Sequence, residues 1–475
     1  MPKFTEAISH PIFNTISQVA DELQLDTYVI GGYVRDYFLD RQQDKDIDVV
    51  CVGDGILLAE ALAQELGLSK NSVKVFKRFG TAMINYQGID VEFVGARKES
   101  YAKGSRNPEV EPGSLKDDQN RRDFTINALA LQLNSQHFGD LSDPFEGQSD
   151  LNKKIIKTPL EPELTFSDDP LRMMRAVRFS AQLGFKIEDE TFKALQEQAY
   201  RLKIVSPERI IDEFNKIMMT PKPSFGLGLL LKSNLLKEFL PELVALRGVE
   251  DVDGQTHKEN FWHTLVVVDN ISEHTDNVWL RWAALLHDVG KAPTKRYDKN
   301  IGWTFHGHEF KGSKMVYKLF KRLKMPLNDK MKYVQKLVLM SSRPISVVDG
   351  DVTDSAVRRL IFDAGDDLDD LMTLCEADIT TKNPKRYKAY HNNFKRVRQK
   401  IQDVEERDHI RNFQPPVSGE EIMEAFNLKP SKEIGIIKSA IKEAILEGDI
   451  PNERQAALSF MNRKGKELGL KPKNQ

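Results

Sequence analysis

The sequence predicts an α+β fold, with a mixed sheet near the N-terminus and mostly helical domains after it. Strand and helix patterns alternate over about the first 140 residues. Strand patterns fade beyond Asp150, and most of the remaining chain has helical periodicity. The chain has 475 residues, which exceeds what one hydrophobic core usually supports, so we expect three or four domains.

The composition limits the classes of partner and compartment. The 69 Lys and Arg residues nearly balance the 71 Asp and Glu residues, which gives a formal charge of −2. A nucleic acid would therefore have to bind local basic patches. The two cysteines, Cys51 and Cys375, lie far apart without metal-ligand spacing, which indicates a reducing compartment and no disulfides. Because no signal core and no run of about 18 apolar residues occurs, we expect a cytoplasmic protein that does not enter a membrane.

The first predicted strand, residues 28–30, runs into a pair of glycines. Gly31 and Gly32 allow backbone N–H groups to approach phosphate oxygens closely, and the segment after them can start a helix whose positive end favours an anion. By itself the pair also fits an ordinary strand-to-helix turn. It becomes informative through the carboxylates that follow it in the sequence.

The second predicted strand carries two carboxylates on one face. Asp46 and Asp48 are two residues apart and point to the same side, while Ile47 and Val49 pack on the other. Mg²⁺ prefers one or two carboxylates together with phosphate oxygens, and two such ions can lie about 3.5–4 Å apart. A solvated surface loop is the alternative. Together with the glycines, the carboxylates predict a phosphate cradle beside a divalent metal site.

A helix and a hairpin are predicted next. Apolar side chains recur at helical spacing over residues 56–66. Residues 82–93 predict a hairpin, because apolar residues alternate on both sides of a Gln-Gly turn. Glu92 lies on the face opposite the apolar side chains, so it is a candidate third carboxylate beside the two aspartates.

A polar segment without periodicity, residues 96–120, is predicted to be a long loop, and loops of this length are usually functional or disordered. It leads into Arg121 and Arg122. Guanidinium groups donate in a fork that matches phosphate oxygens, so the two arginines predict a triphosphate clamp. A solvated basic pair fits them equally well.

The rest of the chain is predicted to be mostly helical. One helix begins at Leu171, with Asp168 as its cap and Pro170 near its first turn. A second helix spans about residues 207–219, where apolar side chains form one stripe.

Five motifs in this order resemble the class II tRNA nucleotidyltransferase and poly(A) polymerase family, a branch of the DNA polymerase beta superfamily. They are Gly31 to Asp36, Asp46 to Asp48, Arg121 to Asn127, Asp168 to Arg172, and Glu208 to Glu213. Five motifs in the family's order are far more specific than any one of them.

The resemblance implies a polymerase-beta-like nucleotidyltransferase head with a mixed sheet, followed by mostly helical neck, HD and tail domains. The implied boundaries are 1–140 for the head, 141–220 for the neck, 221–250 for a helical connector, 251–400 for the HD domain and 401–475 for a helical RNA-binding tail. In the head, Asp46, Asp48 and Glu92 would be the catalytic carboxylates, with Mg²⁺ held on the two aspartates. The residues implied to bind the nucleotide are Gly31, Gly32, Arg35, Arg121, Arg122, Asp123, Asn127, Asp169, Arg172, Arg175 and Arg178.

The neck motif has a chemical rationale of its own. Asp169 and Arg172 are three residues apart, so on a helix they would share one face. A carboxylate accepts from the exocyclic amino group of cytosine or adenine, and a guanidinium donates to the neighbouring ring nitrogen. Guanine and uracil present the wrong order of donors and acceptors, so the pair would admit CTP and ATP. An ordinary surface ion pair is the alternative.

The activity implied by the resemblance is template-independent addition of C, C and A to tRNA 3′ ends from CTP and ATP, by two-metal-ion catalysis with release of pyrophosphate. The implied partners are tRNA, CTP and ATP, and no oligomeric state is indicated. A poly(A) polymerase, or an enzyme that adds only CC or only A, shares the head motifs. The long predicted loop favours full CCA addition, because CC-adding members of the family tend to have it shortened or altered.

A second set of residues resembles the pattern of HD metal-dependent phosphohydrolases. The matching residues are His263, His287, Asp288 and Asp378, with His308 as an additional ligand. Imidazoles with carboxylates suit a transition metal such as Ni²⁺, Mn²⁺ or Co²⁺ better than Mg²⁺. Ser341 stands where many such domains carry a further histidine, which argues against a two-metal site. A single-metal site, weakened hydrolysis and a purely structural domain all remain open.

Two functions of other classes also remain open from the sequence. The HD domain could be the working enzyme, a nucleotide or cyclic-phosphate hydrolase, with a head that only binds nucleotide. The chain could instead be an RNA-binding scaffold, because residues 381–400 hold eight Lys or Arg, no acid and several aromatic residues. A solvated charged helix explains the same stretch.

Overall fold

The computed structural model of the chain describes residues 3–41, 46–77, 80–101, 108–252, 255–256, 259–348 and 353–473. Contacts divide the chain into two compact units. Unit 1 comprises Met1–Thr220 and Phe225–Pro241, and unit 2 comprises Pro221–Ser224 and Glu242–Gln475. No helix within the described ranges is long and apolar enough to cross a membrane. The domain boundaries implied by the resemblance stay predictions.

Unit 1 is organised around a mixed sheet. Its strands are β1 (Thr27–Ile30), β2 (Asp46–Cys51), β3 (Val73–Phe76), β4 (Thr81–Tyr86), β5 (Ile89–Gly95), β6 (Arg97–Tyr101), β7 (Pro108–Pro112), β8 (Ala130–Gln132), β9 (Leu141–Ser142), β10 (Ile155–Ile156) and β11 (Lys186–Ile187). Seven of them form one sheet in the order β3-β4-β5-β2-β1-β8-β9, with β2 and β5 parallel and the other neighbours antiparallel. The predicted mixed sheet and the hairpin of β4 and β5 are confirmed.

Side chains alternate between the two faces of β2, so its two carboxylates lie on the face opposite Ile47 and Val49. Ile47 and Val49 are 2% and 0% exposed, while Asp46 and Asp48 are exposed. Val50 lies on the same side as Asp48, where it is buried in an apolar cluster that includes residues of β1 and β8. The strand is therefore buried on both faces at its C-terminal end, and its N-terminal end presents the carboxylates.

Helices cover the sheet and continue beyond it. Those up to Phe239 are α1 (Pro11–Glu22), α2 (Gly32–Phe38), α3 (Gly55–Glu65), α4 (Leu115–Asn120), α5 (Gly147–Lys153), α6 (Pro162–Asp168), α7 (Leu171–Leu183), α8 (Asp189–Gln198), α9 (Pro207–Met218), α10 (Pro223–Lys232) and α11 (Leu235–Phe239). Helix α3 packs on β4 and β5, and α7 packs on α9. The predicted helices at 56–66, from Leu171 and at 207–219 correspond to α3, α7 and α9.

The prediction of a long loop at residues 96–120 was wrong. Strands β6 and β7 pair as a hairpin, and α4 follows with a capping box formed by Ser114 and Asp117. Residues 102–107 lie outside the described residues. Both strands have polar sequences, so the alternation that marks a half-buried strand is missing. The argument that a long loop favours full CCA addition therefore applies to a segment that forms a hairpin and a short helix.

The predicted cap of α7 was also wrong. Asp168 is the last residue of α6, and Pro170 occupies the N-cap position of α7. Asp169 lies between the two helices with extended dihedral angles, φ −135° and ψ 102°. Its Oδ1 accepts from the N–H of Leu171 at 3.1 Å. Asp169 therefore supplies the side-chain hydrogen bond at the start of α7.

Unit 2 is mostly helical, as predicted. The helices beyond Phe239 are α12 (Pro241–Val244), α13 (Asn260–Ser272), α14 (Val278–Leu286), α15 (Lys291–Thr294), α16 (His308–Arg322), α17 (Asp329–Met340), α18 (Arg343–Val348), α19 (Asp354–Ala364), α20 (Leu368–Ala377), α21 (Pro384–Asp408), α22 (Gly419–Phe426), α23 (Lys432–Glu447) and α24 (Arg454–Glu467). Two short hairpins are formed by β12 (Asp251–Val252) with β13 (Gln255–Thr256) and by β14 (Arg296–Asp298) with β15 (Gly302–Thr304). Helices α13, α14 and α20 pack on one another.

Candidate active site and candidate metal centre

Three carboxylates line one face of the sheet in unit 1. The parallel register of β2 and β5 places Asp48 opposite Glu92, and both are exposed together with Asp46. Solvent reaches Asp48, but surrounding protein atoms still raise its pKa by desolvation; Arg122 opposes this increase and Asp46 adds to it. Desolvation and the charge of Asp48 likewise raise the pKa of Glu92. A divalent cation would relieve this repulsion.

Gly31 brings the predicted cradle, metal ligands and clamp to one point. It occupies the N-cap position of α2 with φ of +87°. A Cβ here would lie 2.9 Å from Nη1 of Arg122 and 3.3 Å from Oδ2 of Asp48. Its N–H donates to the carbonyl of Leu129 at 3.2 Å, so this amide is already used. Glycine therefore contributes its backbone conformation and the open space between two charged groups.

The two clamp arginines share one buried carboxylate. Asp118 is 0% exposed. Nε of Arg121 donates to its Oδ1 at 2.8 Å, and Nε of Arg122 donates to its Oδ2 at 3.3 Å. The buried carboxylate of Asp118 orients both guanidinium groups. Because these groups are partly exposed, a ligand can still reach them. Two guanidinium groups held side by side in this way suit an anionic ligand.

A hydrogen-bonded chain connects α2 with α7. Nε and Nη2 of Arg35 each donate to Asp36 at 2.8 Å, and its Nη1 donates to Oδ1 of Asn127 at 2.9 Å. Nδ2 of Asn127 donates to Asp123 at 3.0 Å, and Nε of Arg175 donates to Asp123 at 2.6 Å. Burial alone would raise the pKa of Asp123, but Arg175 and Asn127 lower it to about 2. Apart from Asp36, these residues are ones predicted to bind nucleotide, and they hold one another in place.

Arg178 lies in the same region but pairs with a different carboxylate, that of Glu213. Its Nε is 2.5 Å from Oε2 of Glu213 on α9, and Glu213 is buried. The guanidinium carbons of Arg178, Arg35 and Arg175 lie 4.0, 5.1 and 5.3 Å from the ring centroid of Phe179. These are cation–π distances. The buried ring of Phe179 therefore positions three of the predicted nucleotide-binding arginines.

The two predicted base-reading residues are held by different partners. Nη1 of Arg172 donates to the carbonyl of Thr165 at 3.2 Å, and Nη2 donates to the carbonyl of Arg121. Oδ2 of Asp169 accepts from Nη2 of Arg209 on α9 at 3.2 Å. Because Asp169 precedes α7, the prediction that Asp169 and Arg172 share one helix face was wrong.

Unit 2 contains a compact cluster between α13 and the C-terminal ends of α14 and α20. Nε2 of His263 lies 2.8 Å from Oδ1 of Asp378, and Nε2 of His287 lies 3.6 Å from the same oxygen. Oδ2 of Asp288 lies 3.3 Å from Nε2 of His287. In the described part of the chain, His263, His287 and Asp378 are the one group of His, Cys, Asp or Glu whose ligand atoms all lie within 4.8 Å of one another. The four residues of the HD pattern thus come together.

The histidines present Nε2 to this cluster because Nδ1 is used elsewhere. Nδ1 of His287 lies 2.7 Å from the carbonyl oxygen of Ala284, and Nδ1 of His263 lies 3.1 Å from the hydroxyl of Thr380. When the His287 ring is neutral, as a metal ligand must be, donation to the carbonyl requires the Nδ1–H tautomer, which leaves Nε2 as an acceptor. Neither Nε2 of His287 nor Oδ1 of Asp378 makes a well-aligned hydrogen bond among the described residues, although Nε2 of His263 lies 2.8 Å from that oxygen. This donor set fits a bound cation.

His308 lies beside Asp288 at the edge of the cluster. Its Nδ1 is 3.0 Å from the carbonyl oxygen of Phe305, and its Nε2 is 3.6 Å from Oδ1 of Asp288. Ser341 donates to the carbonyl of Val338 at 3.1 Å, so its hydroxyl is turned to its own helix. The geometry places His308 near the other HD residues and gives Ser341, the C-cap of α17, a hydrogen bond to the last turn of that helix.

Charges within the cluster offset one another. Burial alone would lower the pKa of His287, but the carboxylates of Asp288 and Asp378 raise it to about 10. Burial alone would raise the pKa of Asp288, yet His287 and Lys291 hold it below its usual value. Nζ of Lys291 donates to Oδ2 of Asp288 at 2.7 Å. A cation at this cluster would therefore displace a proton from His287.

Sequence reasoning missed the residues that orient the site of unit 1. Asp118 precedes the clamp arginines by three and four residues, so helical spacing carried a signal for it. Glu213 and Arg209 stood in a motif, but their partners Arg178 and Asp169 lie far away in sequence. Local spacing therefore carried no signal for these two contacts.

Three family profiles match the chain. The Poly A polymerase head domain matches residues 27–157, the probable RNA and SrmB- binding site of polymerase A matches residues 184–246, and the HD domain matches residues 260–378. The nucleotidyltransferase and HD families are metal-dependent. The order of the three profiles agrees with the order of motifs in the sequence.

Individual relatives extend the comparison. The A-adding tRNA nucleotidyltransferase of Geobacter sulfurreducens is 35% identical over 58% of this chain, which spans about a third of that relative (31%). The multifunctional CCA protein of Shewanella frigidimarina is 32% identical over 74% of this chain and 83% of that protein. A crystal structure of the Bacillus stearothermophilus CCA-adding enzyme with CTP has the same fold, with a TM-score of 0.66, 23% identity, and coverage of 97% of this chain and 99% of that one. The chain belongs to the class II tRNA nucleotidyltransferase and poly(A) polymerase family.

Proposed function

We propose that the chain adds C, C and A in that order to the 3′ end of tRNA, using CTP and ATP and releasing pyrophosphate. The observation that supports this most directly is the convergence at Gly31. There, a position without a side chain lies between Oδ2 of Asp48 and the guanidinium of Arg122. A triphosphate placed at this point meets a cation-binding carboxylate on one side and a positive charge on the other.

Asp46 and Asp48 would hold Mg²⁺, with Glu92 beside them. When bound, Mg²⁺ supplies activation of the attacking 3′-hydroxyl and neutralisation of charge on the triphosphate. Arg122, held by the buried carboxylate of Asp118, offsets charge that develops on the pyrophosphate. The 3′-oxygen bonds to the α-phosphorus as the bond to pyrophosphate breaks.

Asp169 and Arg172 are proposed to select the base from two separate backbone segments. Asp169 accepts from Leu171 and Arg209, but a carboxylate has about four acceptor positions, so others remain for the amino group of cytosine or adenine. Arg172 donates to two backbone carbonyls, which leaves other N–H groups for the ring nitrogen. Donors and acceptors held in this way would disfavour guanine and uracil.

Product length distinguishes this activity from its close alternatives. Relatives carry names of both A-adding and CCA-type enzymes. The full chain is incubated with a tRNA transcript that lacks its last three nucleotides, and CTP and ATP are supplied separately and together. Three additions followed by a stop are expected. A single A, added only to a transcript that already ends in CC, would identify an A-adding enzyme, and an unlimited A tail would identify a poly(A) polymerase.

A second function is proposed for unit 2, the hydrolysis of phosphate esters such as 2′,3′-cyclic phosphates at a single-metal site. The close approach of His263, His287 and Asp378 supports it. These imidazole and carboxylate ligands suit Ni²⁺, Mn²⁺ or Co²⁺, which would supply an activated water. Metal analysis of the purified full chain and assays with 2′,3′-cyclic nucleotides test it. A chain with neither metal nor turnover would have a structural cluster only.

A further inference from the structure

A cavity of about 640 Å³ lies in unit 2 beside the basic stretch noted in the sequence. Val266 on α13, Thr380 after α20, and Tyr387 and His391 on α21 contribute to its lining. Sites for small molecules and cofactors usually have about 300–1,000 Å³. The cavity is therefore large enough for a nucleoside.

The cavity adjoins the HD cluster without sharing its ligands. Ala377 and Ile379 flank Asp378 in the sequence and line the cavity. The hydroxyl of Thr380, another lining residue, lies 3.1 Å from Nδ1 of His263. An occupant of the cavity would thus contact the residues that support the metal ligands.

The walls of the cavity favour a base over a phosphate. Tyr387 is 48% exposed, and its ring lies beside that of His391 with centroids 4.2 Å apart and planes at 52°, so the Tyr387 ring is an exposed aromatic surface. Arg398 is neutralised by Glu376 at 2.7 Å. The carboxylate of Glu273 also lines the cavity. It would repel a phosphate but can accept from an exocyclic amino group.

Apart from Arg398, the cations of residues 381–400 lie close to the cavity but do not line it. Of the eight Lys or Arg at residues 381–400, Arg398 and Lys400 pair with carboxylates, and the others have no carboxylate partner in the part of the chain that the structure describes. Lys388 and Lys395 are both exposed and are seven residues apart. Seven residues are about two turns, or roughly 10 Å, so the two ammonium groups lie on one side of α21.

We propose that the cavity and this lysine pair bind a single-stranded segment of RNA, with one base stacked on Tyr387 and backbone phosphates at Lys388 and Lys395. The inference rests on the proposed RNA substrate and assigns part of its binding to unit 2. An exposed aromatic surface beside unpaired cations is the combination used by single-strand binding sites. Charge complementarity favours RNA, since no acidic residue occurs in α21 before Asp403.

The test is equilibrium binding of the full chain to tRNA lacking its last three nucleotides and to a short unstructured oligoadenylate, over a range of salt concentrations. Lys388→Gln with Lys395→Gln should weaken both and reduce the slope of log K against log salt by about 1.4, since each single-strand phosphate contact contributes about 0.7. Lys311→Gln with Lys318→Gln is the matched control. These lysines are also exposed and seven apart, on α16, and their loss should change neither quantity.

A second variant separates stacking from charge. Tyr387→Ala should weaken RNA binding about tenfold without changing the salt slope, and Tyr387→Phe should restore the affinity. A chain that adds nucleotides but binds RNA equally well with all of these substitutions overturns this inference alone. RNA binding that responds to Tyr387 and the two lysines, in a chain that adds no nucleotide, overturns the proposed function alone.

Discussion

In unit 1, Asp46, Asp48 and Glu92 stand exposed on neighbouring strands, whereas in unit 2 the buried Asp288 and the half-buried Asp378 lie against histidines. Desolvation and mutual repulsion raise the pKa of Asp48 and of Glu92. Despite burial, the histidines keep the pKa of Asp288 and of Asp378 below the usual range. Unit 1 therefore leaves its negative charge only partly compensated, by Arg122, and unit 2 compensates its own through histidines and Lys291.

This difference agrees with two kinds of metal use. An ion that arrives with a triphosphate and leaves with pyrophosphate needs carboxylates that are not already neutralised. A resident ion needs ligands that are oriented beforehand, as Ala284 orients His287 through its carbonyl oxygen. We therefore expect substitutions at the two sites to have separate effects, on nucleotide addition in one case and on bound metal and stability in the other.

The largest expected effect is at the carboxylates of β2. Asp46→Ala with Asp48→Ala should reduce nucleotide addition by about a thousandfold or more, because the carboxylates proposed to hold Mg²⁺ are lost. Metal bound to unit 2 should be unchanged by elemental analysis, and circular dichroism should report an intact fold. Glu60→Ala with Glu65→Ala, two exposed carboxylates of α3, is the control and should retain activity. A double variant of the aspartates that still adds CCA would contradict the proposed active site.

His287→Ala should affect the cluster of unit 2 and leave the site of unit 1 unchanged. Loss of the imidazole removes one partner from Asp288, which keeps Lys291, and one from Asp378, which keeps His263. The cost should therefore stay below the roughly 3 kcal/mol of breaking a buried ion pair outright. We expect lower unfolding free energy in urea and loss of bound metal, with nucleotide addition retained. His306→Ala removes an exposed histidine nearby and should leave stability and metal content unchanged. Equal losses of stability in both variants would contradict a special role for the cluster.

Sequence patterns predicted the geometry of the β2 carboxylates correctly but not that of the neck motif. The period of a strand was enough to place Asp46 and Asp48 on one face, because Ile47 and Val49 had to be buried. The neck was misread, although Pro170 carried the signal, since a residue that precedes proline is disfavoured in the α region. The extended backbone of Asp169 is the result.

Long-range contacts account for most of what the sequence could not predict. The pairing of Glu213 with Arg178 joins α7 to α9, and nothing in the spacing of either motif specifies it. The hairpin of β6 and β7 was missed because its strands lack an apolar face, so no periodicity distinguished them from a loop. In unit 2, the adjacent His287 and Asp288 could be identified from the sequence. The contact of Thr380 with His263 could be identified only from the structure, because the two residues are far apart in the sequence.

A smaller effect is expected at Arg209, which orients a residue of unit 1 from an exposed position. Its ion pair with Asp169 at 3.2 Å is partly open to solvent, so its contribution is about 1 kcal/mol or less. Arg209→Ala should therefore reduce discrimination of CTP against UTP by about fivefold or less. Asp169→Ala should reduce it further, because the accepting carboxylate itself is lost. Incorporation assays with each of the four nucleotides measure both, and unchanged selectivity for Asp169→Ala would exclude the base-reading role.

The smallest effect concerns stability and has the opposite sign to the effect on activity. Because the pKa of Asp48 is raised in the folded chain, its ionised form opposes folding at neutral pH. Asp48→Asn should increase the Tm of metal-free protein by no more than a few degrees, while nucleotide addition is lost. The gain should be full above the raised pKa and should shrink as the pH falls from that pKa toward 3.8, since the wild-type carboxylate then becomes protonated in the folded state. Thermal unfolding in the presence of a chelator, with Glu60→Gln as control, measures it. A decrease in Tm at neutral pH would show that Asp48 is already compensated in the metal-free fold, and the contrast between the two units would then fail.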